Sequence, residues 1–336
     1  MNHLLSLQEL NRSDLIWIVQ QALAVKRESW RYYNACERKG LLMLFQKTST
    51  RTNLSFQSAI NQLGGYAVPM DWDSSNFSIS PIRYESRYAS RNSDLIMARL
   101  KNHADLAELA AYSQVPVING CCDKYHPCQS LADLMTIYET AGSFSGVTLT
   151  YVGIHNNVAN SLIAGCMTLG VRLLLVTPIV NESSWDECLM RQAYGSGLVE
   201  RLDTLAEAIP RSDFVYTDTW IDMEFFRDPL YREEKQRRID TMMPFQVNRE
   251  QLKGRTPYLM HDMPIHLGYE IEEALIESNR EQLKGRTPYL MHDMPIHPGY
   301  EIEEALIESE QSVIYRQAEN RMHVQKALIL HLLESG

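Results

Sequence analysis

Three short segments, far apart in the chain, carry residue types that hold a phosphate or polarise a carbonyl. They contain Ser49, Thr50, Arg51 and Thr52, then His126 and Gln129, and finally Arg321. The first segment lies between a predicted strand and a predicted helix, where backbone N–H groups and the helix dipole favour an anion. Hydroxyl groups add donors there, and an arginine adds a charged fork that matches phosphate oxygens. Taken alone, this tetrapeptide is also typical of an ordinary helix cap.

Other polar residues follow predicted strands. Arg99 lies at the end of an apolar run over 94–100, and the carboxyl end of a parallel strand faces the crevice where ligands bind. Asn157 lies in a polar turn between a strand and a helix, and Asp218 comes directly after another buried strand. Each of these positions, viewed by itself, also fits a solvated side chain or a helix cap.

Alternating strands and helices are predicted to position these residues. Apolar runs at 41–45, 95–100 and 115–118 alternate with helical patterns, and the alternation restarts after Gly146 with strands at 147–152, 172–176 and 214–217. Such alternation predicts an α/β fold of two doubly wound domains, each with a mostly parallel sheet covered on both faces. The last strand is expected at 289–291, and the final helix, from Gln317, is expected to pack back on the first domain.

Composition excludes several classes of function. Lys and Arg number 32 against 42 Asp and Glu, which gives a net charge of −10 and argues against a nucleic-acid-binding surface. The six cysteines show no zinc spacing, and no Walker, G-x-G-x-x-G or HExxH pattern is present. No apolar run approaches 18 residues. We therefore expect a cytoplasmic protein with no metal, no organic cofactor, no nucleic-acid partner and no membrane partner.

The chain also contains an internal repeat. Residues 248–278 and 279–309 are the same 31-residue segment, and the two copies differ only at Leu267 and Pro298. Two copies are too few for a solenoid, so the repeat is interpreted as a tandem duplication, of natural or engineered origin, inside an ordinary domain.

Together the quoted motifs resemble those of the transcarbamylases, most closely the ornithine carbamoyltransferase branch. The resemblance implies that carbamoyl phosphate is bound by Ser49, Thr50, Arg51, Thr52, Arg99, His126, Gln129 and Arg321. It also implies that Arg99 and His126 contact the carbonyl oxygen and that Gln129 contacts the carbamoyl nitrogen. Asn157 would contact the α-carboxylate of the second substrate, and Asp218 its amine. The family expects Arg51-Thr52 to be followed by a basic residue, whereas Asn53 stands here.

Two further motifs depart from the family pattern on the amine side. Asp222-Met223-Glu224 stands where the family has Ser-Met-Gly, and His-Asp-Met-Pro, with Asp262 or Asp293, replaces His-Cys-Leu-Pro. These changes add acids, so we expect an acidic pocket. Such a pocket suits a cationic amine, and Asp222, Met223, Asp293 and Met294 are its expected contacts. The resemblance makes ornithine the expected acceptor. Putrescine, lysine or another diamine stays open as an alternative, and so does a non-catalytic ligand-binding or scaffold protein of this fold.

The family also predicts the organisation of the molecule. A carbamoyl-phosphate domain over 1–140, completed by helix 317–336, and an amine-substrate domain over 141–316 would enclose the site in their cleft, within a homotrimer. Only one repeat copy fits one slot of a close-packed sheet. The second copy, with Asp293 as a catalytic residue, is expected to take that slot because it leads directly into the closing helix.

Overall fold

The computed structural model describes residues 3–218, 220–221, 229–246, 258–262 and 314–334. In this part of the chain, strands and helices alternate twice and build two parallel sheets with flanking helices. The predicted α/β class is thereby confirmed.

The first sheet has four parallel strands in the order β2-β1-β3-β4. Its strands are β1 (Gly40–Phe45), β2 (Tyr66–Asp71), β3 (Leu95–Arg99) and β4 (Val117–Cys121). The helices of this half are α1 (Arg12–Arg27), α2 (Thr50–Gln62), α3 (Ile82–Ala89), α4 (His103–Tyr112) and α5 (Pro127–Ala141). The chain runs outward from β1 in one direction to β2 and in the other direction to β3 and β4.

The second sheet has five parallel strands in the order β7-β6-β5-β8-β9. Its strands are β5 (Thr148–His155), β6 (Arg172–Val180), β7 (Val199–Arg201), β8 (Phe214–Asp218) and β9 (Tyr258–Asp262). The helices here are α6 (Asn157–Leu169), α7 (Glu187–Gly195), α8 (Leu205–Ala208) and α9 (Arg232–Met242), followed by α10 (Ile314–Glu334).

Each sheet therefore has a point at which the strand order reverses. It lies between β1 and β3 in the first sheet and between β5 and β8 in the second. In open parallel sheets, ligands bind outside the carboxyl ends of the strands at this reversal. The residues that follow β1, β3, β5 and β8 are those in which the sequence motifs occur.

One continuous apolar core links the two halves. It contains the buried residues of β1, β3, β5 and β6 together with those of the helices that cover them. Helices α5 and α6 approach each other closely, since a Cβ on Gly165 would lie 2.6 Å from Leu134 Cδ1. Glycine at this position allows the contact, and near the N-termini of the two helices the backbone N–H of His126 donates to Ser161 Oγ.

The last helix returns to the first half, as the sequence predicts. Helix α10 packs against α1, α2 and α5, and its apolar face is buried through Val324, Leu328 and Leu332. None of the helices in the described ranges is long and apolar enough to cross a membrane.

The repeat enters the second sheet through its first copy. Strand β9 is Tyr258–Asp262, and it pairs in parallel with β8. The expectation that the second copy forms this strand at 289–291 is therefore wrong. The two copies are identical over this stretch, so the residues of the strand do not themselves choose between them. In the structure the first copy, which the chain reaches first after β8, takes the place beside β8.

Candidate functional site

A helix N-terminus forms one wall of the site. Ser49 caps α2 because its hydroxyl oxygen accepts a hydrogen bond of 3.2 Å from the backbone N–H of Thr52. The Ser49 hydroxyl also donates to Thr52 Oγ1 at 3.0 Å. The first turn of a helix carries N–H groups without intrahelical partners, so the segment from Ser49 to Thr52 presents donors and a positive dipole end to an anion.

Three arginines lie near enough to His126 to affect its ionisation. Burial is the main cause of a strongly lowered pKa at His126, and the positive charges of Arg321, Arg99 and Arg51, in that order, lower it further. Arg321 is only 3% exposed, and its Nη2 donates to Thr52 Oγ1 at 3.4 Å, which joins α10 to α2. The sequence separates these residues widely, and the fold brings them to one place. Such a concentration of positive charge suits an anion, and the imidazole beside it is neutral at physiological pH.

Arg99 lies where β3 ends, next to an irregularity in the sheet. The pairing of β3 with β4 shifts register between Ala98 and Arg99, and such a shift re-aims a side chain. Nη1 of Arg99 donates to the carbonyl oxygen of Gly120 at 3.5 Å. Its buried Nε has no hydrogen-bond partner among the described residues. Arg99 is therefore held at one end of its guanidinium and has donor capacity left for a ligand.

Helix α5 supplies two more polar groups. His126 lies at its N-cap position, and the backbone N–H of His126 donates to Ser161 Oγ on α6 at 2.8 Å. Gln129 lies one turn further and is fully buried; its Nε2 donates to Asp133 Oδ1 at 2.9 Å. In the described part of the chain, neither His126 Nδ1 nor Gln129 Oε1 has a partner. Buried polar atoms without partners are costly, and a bound substrate would satisfy them.

The second sheet contributes a buried carboxylate at its reversal point. Asp218 ends β8 and is 2% exposed. Its Oδ2 accepts from Asn156 Nδ2 at 2.6 Å, and the Tyr151 hydroxyl lies 3.1 Å from the same oxygen. Asn156 also caps α6, since its Oδ1 accepts from the N–H groups of Val158 and Ala159. The Asp218 carboxylate is thus fixed for a cationic or hydrogen-bonding partner.

Asn157, at the start of α6, links the two halves of the molecule through contacts with the end of β4. Its Nδ2 donates to the carbonyl oxygen of Cys122 at 2.6 Å and lies 3.3 Å from Cys121 Sγ. Cys121 has a positive φ of 153°, a backbone conformation that is rare outside glycine. The carboxyl end of β4 is therefore shaped to meet the start of α6, beside the proposed second-substrate residues.

A second aspartate lies next to Asp218 in the backbone. The Cα of Asp262 is the register partner of the Cα of Asp218, at the carboxyl ends of β9 and β8. Asp262 thus takes the place that the sequence interpretation assigned to Asp293. Asp222, Met223, Asp293 and Met294 lie outside the described residues.

A polar cluster holds the helix that carries Arg321. Asn320 is fully buried and donates from Nδ2 to Thr136 Oγ1 and Glu139 Oε2, both at 3.1 Å. Lys26 Nζ donates to Asn320 Oδ1 at 2.7 Å and pairs with Glu139 at 2.8 Å. These bonds fasten α10 to α5 and α1 immediately beside the arginine, so they set its position over the N-terminus of α2.

The sequence interpretation missed some residues of this region. Tyr151 lies inside a buried strand and gives no signal of a polar role, and Asp133 is an acid within a helical pattern.

Burial raises the pKa of the Cys122 and Cys128 thiols to about 12, so both stay protonated. No group of three or more His, Cys, Asp or Glu side chains suited to a metal ion occurs among the residues described.

Comparisons with known proteins match this geometry. The profile of the aspartate/ornithine carbamoyltransferase carbamoyl-P binding domain matches residues 2–139, and that of the Asp/Orn binding domain matches 145–286 and 280–332. An ornithine carbamoyltransferase of Archaeoglobus fulgidus is 34% identical over 338 residues, covering 99% of this chain and 98% of the relative.

Solved structures agree with this result. The ornithine carbamoyltransferase from Pyrococcus furiosus is 35% identical with a TM-score of 0.78 and covers 100% of this chain and 97% of its own. Anabolic ornithine carbamoyltransferase from Campylobacter jejuni is 28% identical with a TM-score of 0.80 and covers 100% of both chains.

Proposed function

The chain belongs to the aspartate/ornithine carbamoyltransferase family, and from this premise we propose that it carbamoylates ornithine. The reaction takes carbamoyl phosphate and the side-chain amine of ornithine, and gives citrulline and phosphate. The proposal is supported most directly by Arg321, which bonds to Thr52 Oγ1 at the N-terminus of α2 and lies with Arg51 and Arg99 near His126, because this arrangement suits an anionic donor with a carbonyl group.

On the donor side, the phosphate would lie at the N-terminus of α2. The N–H groups of the first turn, the hydroxyls of Ser49, Thr50 and Thr52, and the guanidinium groups of Arg51 and Arg321 supply its hydrogen bonds. Arginine suits this role because it is always charged and donates through two parallel N–H groups. Phosphate leaves as a well-held dianion, so the same contacts stabilise the leaving group.

At the carbonyl carbon, the site stabilises negative charge. Arg99 and His126 would donate to the carbonyl oxygen, on which charge grows as the amine attacks. His126 is neutral because burial and the nearby arginines lower its pKa, so it donates as an imidazole without changing its charge. The amine lone pair forms the new C–N bond, and the C–O bond to phosphate breaks with its electron pair leaving on phosphate. The proton that the amine loses passes to the departing phosphate, which therefore leaves as a dianion.

On the acceptor side, Asp218 would bind the amine and Asn157 the α-carboxylate. Asp218 is buried and held by Asn156, so it can orient an amine without moving. Asp222 and Met223 complete this side as sequence-based proposals, with Asp262 in the place first given to Asp293.

A second candidate acceptor is a diamine or lysine. Asp262 is in register with Asp218, and two adjacent aspartates at strand ends favour a more strongly cationic acceptor than one carboxylate does. Putrescine and lysine therefore belong in the same assay as ornithine.

We also propose a homotrimer, with domains over 1–140 plus 317–336 and over 141–316. Strand β2 is the edge of its sheet, and Tyr66 and Val68 on it are exposed. Open apolar edges of this kind are sites of association.

The extra 31 residues are proposed to be a tandem duplication. A cytoplasmic location is proposed because free cysteines, most of them buried, suit a reducing compartment.

The test is an amine panel. The purified chain is given carbamoyl phosphate with ornithine, lysine, putrescine or aspartate, and both phosphate release and the ureido product are measured. Ornithine is expected to give equal amounts of the two products, and aspartate none. A higher kcat/KM for putrescine or lysine would select the second candidate, and no ureido product with any amine would favour a non-catalytic binding protein.

A further inference from the structure

Two side chains on α5 form a buried pair whose hydrogen-bond chemistry is one-directional. Gln129 and Asp133 are both fully buried and lie one turn apart. Gln129 Nε2 lies 2.9 Å from Asp133 Oδ1. A carboxylate only accepts hydrogen bonds, whereas an amide has one donating end and one accepting end. With Asp133 ionised, the pair is therefore satisfied only if the NH₂ end of Gln129 faces Asp133.

This pairing fixes what Gln129 offers to a ligand. With its nitrogen committed to Asp133, Oε1 is the end left over, and that oxygen is buried without a partner in the described part of the chain. Gln129 follows His126 by one turn, and His126 lies among the three arginines. Gln129 therefore presents a hydrogen-bond acceptor, and not a donor, beside the place proposed for the carbamoyl group.

We propose that Asp133 is a positioning residue that locks the amide of Gln129 with its oxygen toward the donor substrate, so that the site selects a carbamoyl group over an acyl group. The inference rests on the proposed function. A carbamoyl NH₂ donates to Oε1, whereas the methyl of an acetyl group of the same shape leaves this buried oxygen unpaired. A site built to bond an NH group rejects the analogue that lacks it.

The test uses two stable analogues that differ only at this group. Phosphonoacetamide carries the amide, and acetonylphosphonate carries a methyl ketone in its place. Isothermal titration calorimetry gives the Kd of each for the full-length protein and needs no turnover. The wild-type protein is expected to bind the amide at least about tenfold more tightly, the ratio that corresponds to one hydrogen bond. Equal Kd values would overturn the proposal.

Asp133→Asn removes this constraint, because the amide that replaces the carboxylate can accept from Nε2 or donate to Oε1. The amide of Gln129 can then adopt either orientation. The preference for the amide analogue is expected to fall to about threefold or less, while the Kd of inorganic phosphate stays within about twofold. The matched control is Ser130→Ala, a buried neighbour on the same helix, which is expected to keep the wild-type ratio. An unchanged ratio in Asp133→Asn would refute the role of Asp133.

A double variant separates orientation from packing and serves if Asp133→Asn does not fold. In the Gln129→Glu, Asp133→Asn protein the carboxylate and the amide exchange positions. The introduced amide donates to one oxygen of the introduced carboxylate, and the other oxygen again faces the site as an acceptor. The preference for phosphonoacetamide is expected to return, and equal Kd values for the two analogues would overturn the proposal. If neither analogue nor phosphate binds the wild-type protein, the proposed function itself fails.

Discussion

Replacing Arg321 with methionine is expected to weaken binding of carbamoyl phosphate while leaving the amine side intact. Arg321 is buried, donates to Thr52 Oγ1 at 3.4 Å and lies close enough to His126 to lower its pKa. A hydrogen bond to a charged group contributes about 1.5–3 kcal/mol, which corresponds to about a 10- to 150-fold rise in the KM for carbamoyl phosphate. Methionine keeps most of the side-chain volume, so the packing of α10 is conserved.

Steady-state kinetics with varied carbamoyl phosphate, together with circular dichroism of the folded protein, measures this effect. Arg191→Met on α7 is the control, since Arg191 is exposed and pairs only with Glu187 on its own helix among the described residues; its KM is expected to equal that of the wild type. Arg321→Lys keeps a charge but loses the fork, and an intermediate KM is expected. The reasoning is refuted if Arg321→Met folds and binds carbamoyl phosphate with an unchanged KM.

Three further predictions concern charge and the repeat. Because the pKa of His126 is lowered from 6.5 by burial and the arginines, the unfolded chain binds the extra proton first as pH falls; stability should therefore decrease below about pH 6.5, and less so in His126→Gln, as urea unfolding at several pH values would show. Asp218→Asn should lower kcat/KM for ornithine by about 10- to 150-fold with the KM for carbamoyl phosphate unchanged, and equal losses on both substrates would contradict its place on the amine side. Asp262→Ala should reduce turnover strongly and Asp293→Ala should not; the reverse result would restore the second copy to the site.

The helix N-terminus proposed to bind phosphate could be predicted from the sequence, because it depends on neighbouring residues. Ser49 to Thr52 lies between an apolar run and a helical pattern, and strand, cap and helix all follow from neighbouring residues. The strand-helix alternation likewise predicts two parallel sheets. Arg321 lies far along the chain from Thr52, and their contact depends on how α10 packs, so only resemblance to a family connected them in advance.

The remaining features have no local signal. Tyr151 reads as a core residue of a buried strand, yet its hydroxyl lies beside Asp218 Oδ2. Asp133 reads as one polar residue in a helix, and its role depends on Gln129 being buried with it. The two repeat copies are identical over the β9 sequence, so no property of those residues chooses between them. The pairing of β9 with β8 shows that the first copy takes the place beside β8.

The most direct test of carbamoyl transfer follows the carbamoyl carbon itself. Carbamoyl phosphate labelled with ¹³C at the carbonyl is mixed with the purified chain and ornithine, and the label is followed by NMR. If the arginine-lined site and Asp218 act as proposed, the label moves into a ureido carbon at the rate at which phosphate appears, and it does so more slowly in Arg51→Ala. Label that appears only in bicarbonate or cyanate, at the rate seen without protein, would contradict transfer by this site.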